Sequence, residues 1–279
     1  MNILRTVMLM TVLTLLLVWA GGMMGGRGGA LFALVMAAVM NLGSYWFSDK
    51  IVIAMYRGRE VTSGPLFSVV QQLCLRNALP MPKVYILPQA TPNAFATGRS
   101  PRHAAVAATE GLLQSLTHEE LMGVMAHEMS HVRHRDILIG SIAATIAGAI
   151  SYMAHMAQWA ALFGGLGGRD DDDGNPLGLL LLIILAPVAA MLVQMAISRS
   201  REYAADRGGA ILCGNSHYLA NALRKLEMAN SRMPMPKVNE ATAHMFIVNP
   251  LRGGGIKSLF STHPPVEERI RRLENMTVL

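Results

Sequence analysis

The chain has 279 residues, of which 52% are hydrophobic and only 15% charged, with a formal net charge of +6. That balance is foreign to an ordinary soluble domain and points first to a membrane protein. The charge would suit a nucleic-acid binder, but its distribution excludes that reading. Of 24 Lys and Arg, nine lie in residues 49–136 and twelve in 199–279, flanking apolar runs instead of forming one basic surface.

Four apolar stretches, 6–24, 29–48, 137–163 and 177–198, approach or exceed the roughly 20 residues that a spanning helix needs. With Arg5 before the first and only Arg27 and Arg169 in the two short loops, the positive-inside rule puts both termini and both polar blocks in the cytoplasm. The layout expected is a transmembrane hairpin (1–48), a cytoplasmic part (49–136), a second hairpin (137–198) and a second cytoplasmic part (199–279). A cleaved signal peptide is the alternative for the first stretch, but its run is longer than a signal core of about 7–15 residues, and a second span follows. Cys74 and Cys213 then face a reducing compartment, and no disulfide is expected.

"AGGMMGGRGGA" (20–30) joins the first two spans as a glycine-rich reversal. In the next block, 65–79 has apolar residues at helical spacing. "KVYIL" (83–87), "NAFAT" (93–97) and "HAAVAAT" (103–109) are short strands, expected to form a small antiparallel meander. Thr117 and Glu120 make a capping box that opens a helix running through "EELMGVMAHEMSHVRHR", with Leu121, Val124, Met125 and Val132 facing the core.

On that helix His127 and His131, four apart, project from one face, and Glu128 is turned about 100° from His127 toward a water beside a shared ion. This is H-E-x-x-H, and a catalytic zinc needs a third protein ligand and an open position. His134 sits about 300° around the helix from His131, too far to converge. The acidic loop "GGRDDDDGNP" (167–176) fails as a calcium loop at its first and twelfth positions. "SRSREYAADRGG" (198–209) instead offers Glu202 as third ligand and, one turn on, Asp206 as acceptor for the second ring N–H of a ligand histidine. Ordinary pairing of these acids with Arg199, Arg201 and Arg207 is the competing interpretation. His131 lies about six residues before the third span and Glu202 about four after the fourth, so the intervening hairpin would bring them together near the membrane face.

With "NAFATG" (93–98), "HEMSH" (127–131), "REYAAD" (201–206) and "STHPPVEERI" (261–270), the whole chain resembles the HtpX family of bacterial membrane zinc metalloproteases, relatives of the type I CAAX prenyl protease. The resemblance implies a mainly α integral membrane protein with four transmembrane helices and a cytoplasmic α+β gluzincin-like domain containing a small antiparallel sheet. It implies one Zn2+ on His127, His131 and Glu202, Glu128 as catalytic base, Asp206 behind a ligand, and His263 near the substrate carbonyl. Arg269 is carried over as a substrate contact, and Asn93 on an edge strand would be another. Implied too are a place in the bacterial inner membrane and a role in removing misfolded membrane proteins, with other quality-control proteases as partners. Prenyl-protein processing is the rival enzyme reading. A non-enzymatic metal-binding or transport protein is the rival of another class: the 21 Met and the intramembrane His155 would serve it, although Met is an ordinary filler of apolar helices.

Overall fold

The structure is a computed structural model and describes residues 2–134, 136, 200–232, 247 and 264–278. The chain divides into two compact units, Met1–Trp46 with Ile142–Ala196, and Phe47–Ser141 with Ile197–Leu279. The stretches 137–163 and 177–198, the loop 167–176, His155, His263 and most of 229–262 lie outside the described residues.

α1 (Asn2–Met55), whose residues up to Trp46 belong to the first unit, is broken at Gly25 and Gly26, where Gly26 has φ 56° and ψ −142°, a conformation open to glycine. The reversal falls inside the glycine-rich joint expected from sequence. Its arms touch through glycine: a Cβ on Gly21 would lie 2.5 Å from the Ala33 Cβ and from the Gly29 carbonyl oxygen. Among the described residues no helix is long and apolar enough to cross a membrane.

The second unit is built on a four-stranded sheet of β1 (Arg59–Glu60), β2 (Lys83–Leu87), β3 (Ala94–Ser100) and β4 (His103–Thr109), in the order β1-β2-β4-β3. The expected antiparallel meander is corrected here. β1–β2 and β3–β4 are antiparallel, but β2–β4 is parallel, with Lys83 opposite Ala105 and Leu87 opposite Thr109. Pro88 and Pro92 occur in the six-residue link between β2 and β3, which carries the chain past β2 instead of folding it back as a tight hairpin. β4 fills the gap, and its small residues Ala104–Ala108 are buried, as a central strand covered on both faces requires. β3 is left at the sheet edge.

α2 (Pro65–Arg76), α3 (Glu110–Ser115) and α4 (His118–His134) complete this half, followed by α5 (200–213), α6 (Ser216–Arg232) and α7 (Val266–Glu274). The capping box at α4 forms: the Thr117 amide donates to Glu120 Oε2 (2.8 Å) and the Glu120 amide to Thr117 Oγ1 (3.3 Å). Leu66, Val70 and Leu73 of α2, Val106 of β4, Val124, Met125 and Met129 of α4, and Leu219 and Leu223 of α6 make the main core. Ile53 at the end of α1 packs with Leu87, Phe95 and Ala107 in a second cluster.

Candidate metal centre

α4 carries His127, Glu128 and His131, and α5 carries Glu202 and Asp206. Two glycines let the helices approach: a Cβ on Gly209 would come within 2.8 Å of the His127 N and Cα, and one on Gly208 within 2.1 Å of Ser130 Oγ. No larger residue at 209 would keep that separation. Glu202 thereby meets both imidazoles, with His127 Nε2 3.6 Å from Oε2 and His131 Nε2 3.5 Å from Oε1.

These donors suit one ion. His127, His131 and Glu202 offer ligand atoms that all lie within 4.8 Å of one another. Ligands about 2.1 Å from a tetrahedral zinc stand about 3.4 Å apart, close to the two nitrogen–oxygen distances found. Burial lowers the His127 imidazole pKa further than Asp206 raises it, so that ring is neutral, as a ligand must be. For His131 burial also acts downward, but Asp136, Glu202 and Glu128 outweigh it and push the imidazole up to about 10.

Behind His127 lies a chain of polar contacts. Its Nδ1 is 3.0 Å from Asp206 Oδ1. Arg269, wholly buried on α7, donates to both Asp206 oxygens, Nε to Oδ2 at 2.9 Å and Nη2 to Oδ1 at 2.7 Å. Its Nη1 donates to the Ile247 carbonyl (2.9 Å), and the Ile247 amide donates to Asn93 Oδ1 (3.3 Å). Burial would raise the Asp206 carboxyl, but Arg269 and His127 hold it below the usual range. Asn93 is 4% exposed and its backbone is tied to Thr109. Arg269 and Asn93, expected from sequence as substrate contacts, are both buried, Arg269 against Asp206 and Asn93 against Ile247 and Thr109.

Glu128 faces the same centre without being grouped with its ligands. Burial pushes its carboxyl up to about 7 and nearby Glu202 adds to that, against His131 and a hydrogen bond with the Ala96 backbone. In the β3–β4 ladder Phe95 and Thr97 pair inward with Ala107 and Ala105, so Ala94 and Ala96 aim their backbone groups away from β4. The third sequence candidate for a ligand, His134, is engaged with its own helix, Nδ1 lying 2.8 Å from the Ser130 carbonyl oxygen. Sequence reasoning missed Asp136, whose Oδ2 is 3.5 Å from His131 Nδ1, and Ile247. It also missed a signal for Arg269, which shares the apolar stripe of α7 with Val266, Ile270 and Leu273.

Against known proteins, the family model described as Peptidase family M48 matches residues 60–277. The chain belongs to peptidase family M48. Its M48 relatives include the protease HtpX homolog of Syntrophotalea carbinolica, 93% identical over 279 residues and covering 100% of both chains. The protease HtpX homologs of Desulfatibacillum aliphaticivorans and Thermococcus kodakarensis are 58% and 51% identical, each over 98% of this chain and over 89% and 95% of theirs. Among solved structures, S. mikatae Ste24p superposes with a TM-score of 0.53 at 19% identity, covering 86% of this chain and 57% of that one, a likeness of fold. The M48 chain is a metalloendopeptidase of HtpX type, and its His127, His131 and Glu202 cluster fits the metal that such an enzyme requires. Membership in a peptidase family also sets aside the non-enzymatic metal-binding or transport reading.

Proposed function

We propose that the chain is a multi-pass inner-membrane zinc endopeptidase that hydrolyses misfolded or damaged membrane proteins at the cytoplasmic face. The observation that carries this reading is a buried carboxylate, Glu128, set beside a His2Glu donor group to which it does not belong. A structural zinc site with four protein ligands would have no use for it. The membrane setting is supported by the four apolar runs and by large apolar residues exposed along the second arm of α1, Leu31, Phe32, Val35, Val39 and Leu42. Four spans with both termini and both polar blocks inside would put the bilayer beside the site.

Bound by His127, His131 and Glu202, zinc would supply Lewis acidity, lowering the pKa of a coordinated water toward ~7 and polarising a carbonyl. Glu128, with a carboxyl poised at about 7, takes the proton from the attacking water and returns it to the departing amine. Asp206 and Arg269 hold the His127 ring in the tautomer that leaves Nε2 free. The outward backbone groups of Ala94 and the Ala96 carbonyl on the edge strand suit an extended substrate pairing through its main chain, while the Ala96 amide holds the Glu128 carboxylate and His263 is a second donor to the developing oxyanion. Backbone pairing gives broad selectivity, as a quality-control protease needs.

The test is Glu128→Gln in the full-length protein, with zinc content and cleavage of an unfolded membrane protein measured together. Zinc should stay at one per chain while the rate falls by about 10²–10⁴. Undiminished cleavage would overturn the assignment of Glu128. Faster turnover of a prenylated peptide than of unfolded membrane proteins would favour prenyl-protein processing.

A further inference from the structure

Each imidazole of the centre turns Nε2 toward Glu202 and Nδ1 toward a second carboxylate. For His127 that carboxylate is Asp206, set firmly by the Arg269 fork. For His131 it is Asp136, whose Oδ2 lies 3.5 Å from Nδ1 and whose side chain is 8% exposed. The two rings differ in their surroundings: His127 is wedged under Gly209 with 2% of its side chain exposed, whereas His131 keeps 16% exposed at the end of the helix. Packing therefore fixes His131 less, and the orientation of its ring depends more on what Nδ1 meets. A carboxylate there does two things. It selects the tautomer with the proton on Nδ1, and it makes Nε2 a better electron-pair donor.

We propose that Asp136 is the positioning residue that orients His131 for the metal, the counterpart on the second ligand of Asp206 on the first; this rests on the zinc reading above. Asp136 is also the last residue before the apolar run that begins at Ile137. Residue 136 lies five positions after His131, about 140° around a regular helix, which is why periodicity does not pair the two.

The experiment uses full-length protein in detergent, Asp136→Ala and Asp136→Asn, and zinc affinity measured by competition with a chelator. Wild type binding one zinc tests the underlying reading by itself; wild type that binds none removes that reading, whatever the variants do. With wild type binding, Asp136→Ala should weaken zinc about ten- to hundredfold once the competing His131 proton is corrected for from the pH dependence of affinity in each protein. Asp136→Asn keeps an acceptor oxygen and should weaken it less, though more than twofold. The cobalt-substituted protein should show a displaced visible absorption band in Asp136→Ala. If that variant does not fold, Asp136→Asn carries the test. Affinity within twofold of wild type in every folded variant, with an unmoved cobalt band, overturns the proposal, and so does a lowered melting temperature of the metal-free protein without loss of affinity.

Discussion

Arg269 lies wholly buried with its guanidinium forked onto Asp206, Nη2 2.7 Å from Oδ1 and Nε 2.9 Å from Oδ2. Removing one member of such a pair leaves the other as an uncompensated buried charge. Arg269→Met should therefore destabilise the protein by about 3–5 kcal/mol. Arg269→Lys should remain well below wild type, since an ammonium cannot make the fork. The Asp206 carboxyl is held below its ordinary value, so the stability it contributes is fully present above the unfolded value of about 3.9 and is lost as pH falls through the lower folded value. Denaturant unfolding at pH 7 should show the whole deficit of Arg269→Met. The gap to wild type should narrow in acid, and a gap independent of pH would contradict this account.

Gly209 decides whether α5 can bring Glu202 to the two histidines. A methyl at that position would meet the backbone of His127 at 2.8 Å, which cannot turn aside as a side chain can. Gly209→Ala should cost about 1–3 kcal/mol in overpacking and lower zinc occupancy at limiting metal. Gly208→Ala meets chiefly the Ser130 hydroxyl, which can rotate, although Ser130 Cβ at 3.1 Å remains close. Its effect should be the smaller of the two, with thermal unfolding and metal analysis on both variants giving the order.

What could be read in the sequence was local. The four-residue spacing of His127 and His131, the capping box at Thr117 and Glu120, and the carboxylates of "REYAAD" all follow from helical geometry and ligand chemistry within a few turns of chain. Strand order was not legible, because "KVYIL" and "HAAVAAT" look alike as antiparallel or parallel partners until the link between β2 and β3 is placed. Arg269 came from the resemblance as a substrate contact, and only the buried Asp206 across from it explains its position on the apolar stripe. Asp136 and Ile247 gave no signal, being joined to the site by the chain's path and not by a period.

Glu128 also predicts a cost in the metal-free protein. With its carboxyl pushed up to about 7 by burial, its contribution to stability is fully present below the unfolded value of about 4.3 and is lost as pH rises through about 7. At roughly 1.4 kcal/mol per pKa unit, that amounts to about 3 kcal/mol between pH 4 and pH 8. Glu128→Gln cannot ionise. Chelator-treated Glu128→Gln should therefore gain stability relative to chelator-treated wild type as pH is raised from 5 to 8, read from paired denaturation midpoints. A constant difference between them would mean that Glu128 is already ionised without metal.

Metal uptake should release a proton, and the two histidines should not share equally in it. His127 is already neutral because burial lowers its pKa, so it has none to give. His131 is held protonated up to about 10 by Asp136 and Glu202 despite its burial, so a cation must displace that proton before Nε2 can bind. At neutral pH about one proton should therefore leave the imidazoles per zinc bound, and apparent affinity should rise roughly tenfold for each pH unit over that range. Calorimetric zinc titrations in buffers of different ionisation enthalpy count the proton directly. In Asp136→Ala one of the two main partners that hold it is gone, so the His131 pKa falls and the number of protons released near pH 8 should drop below the wild-type value. Zinc affinity that did not change between pH 6.5 and 8.5 would show that His131 is neutral before the metal arrives.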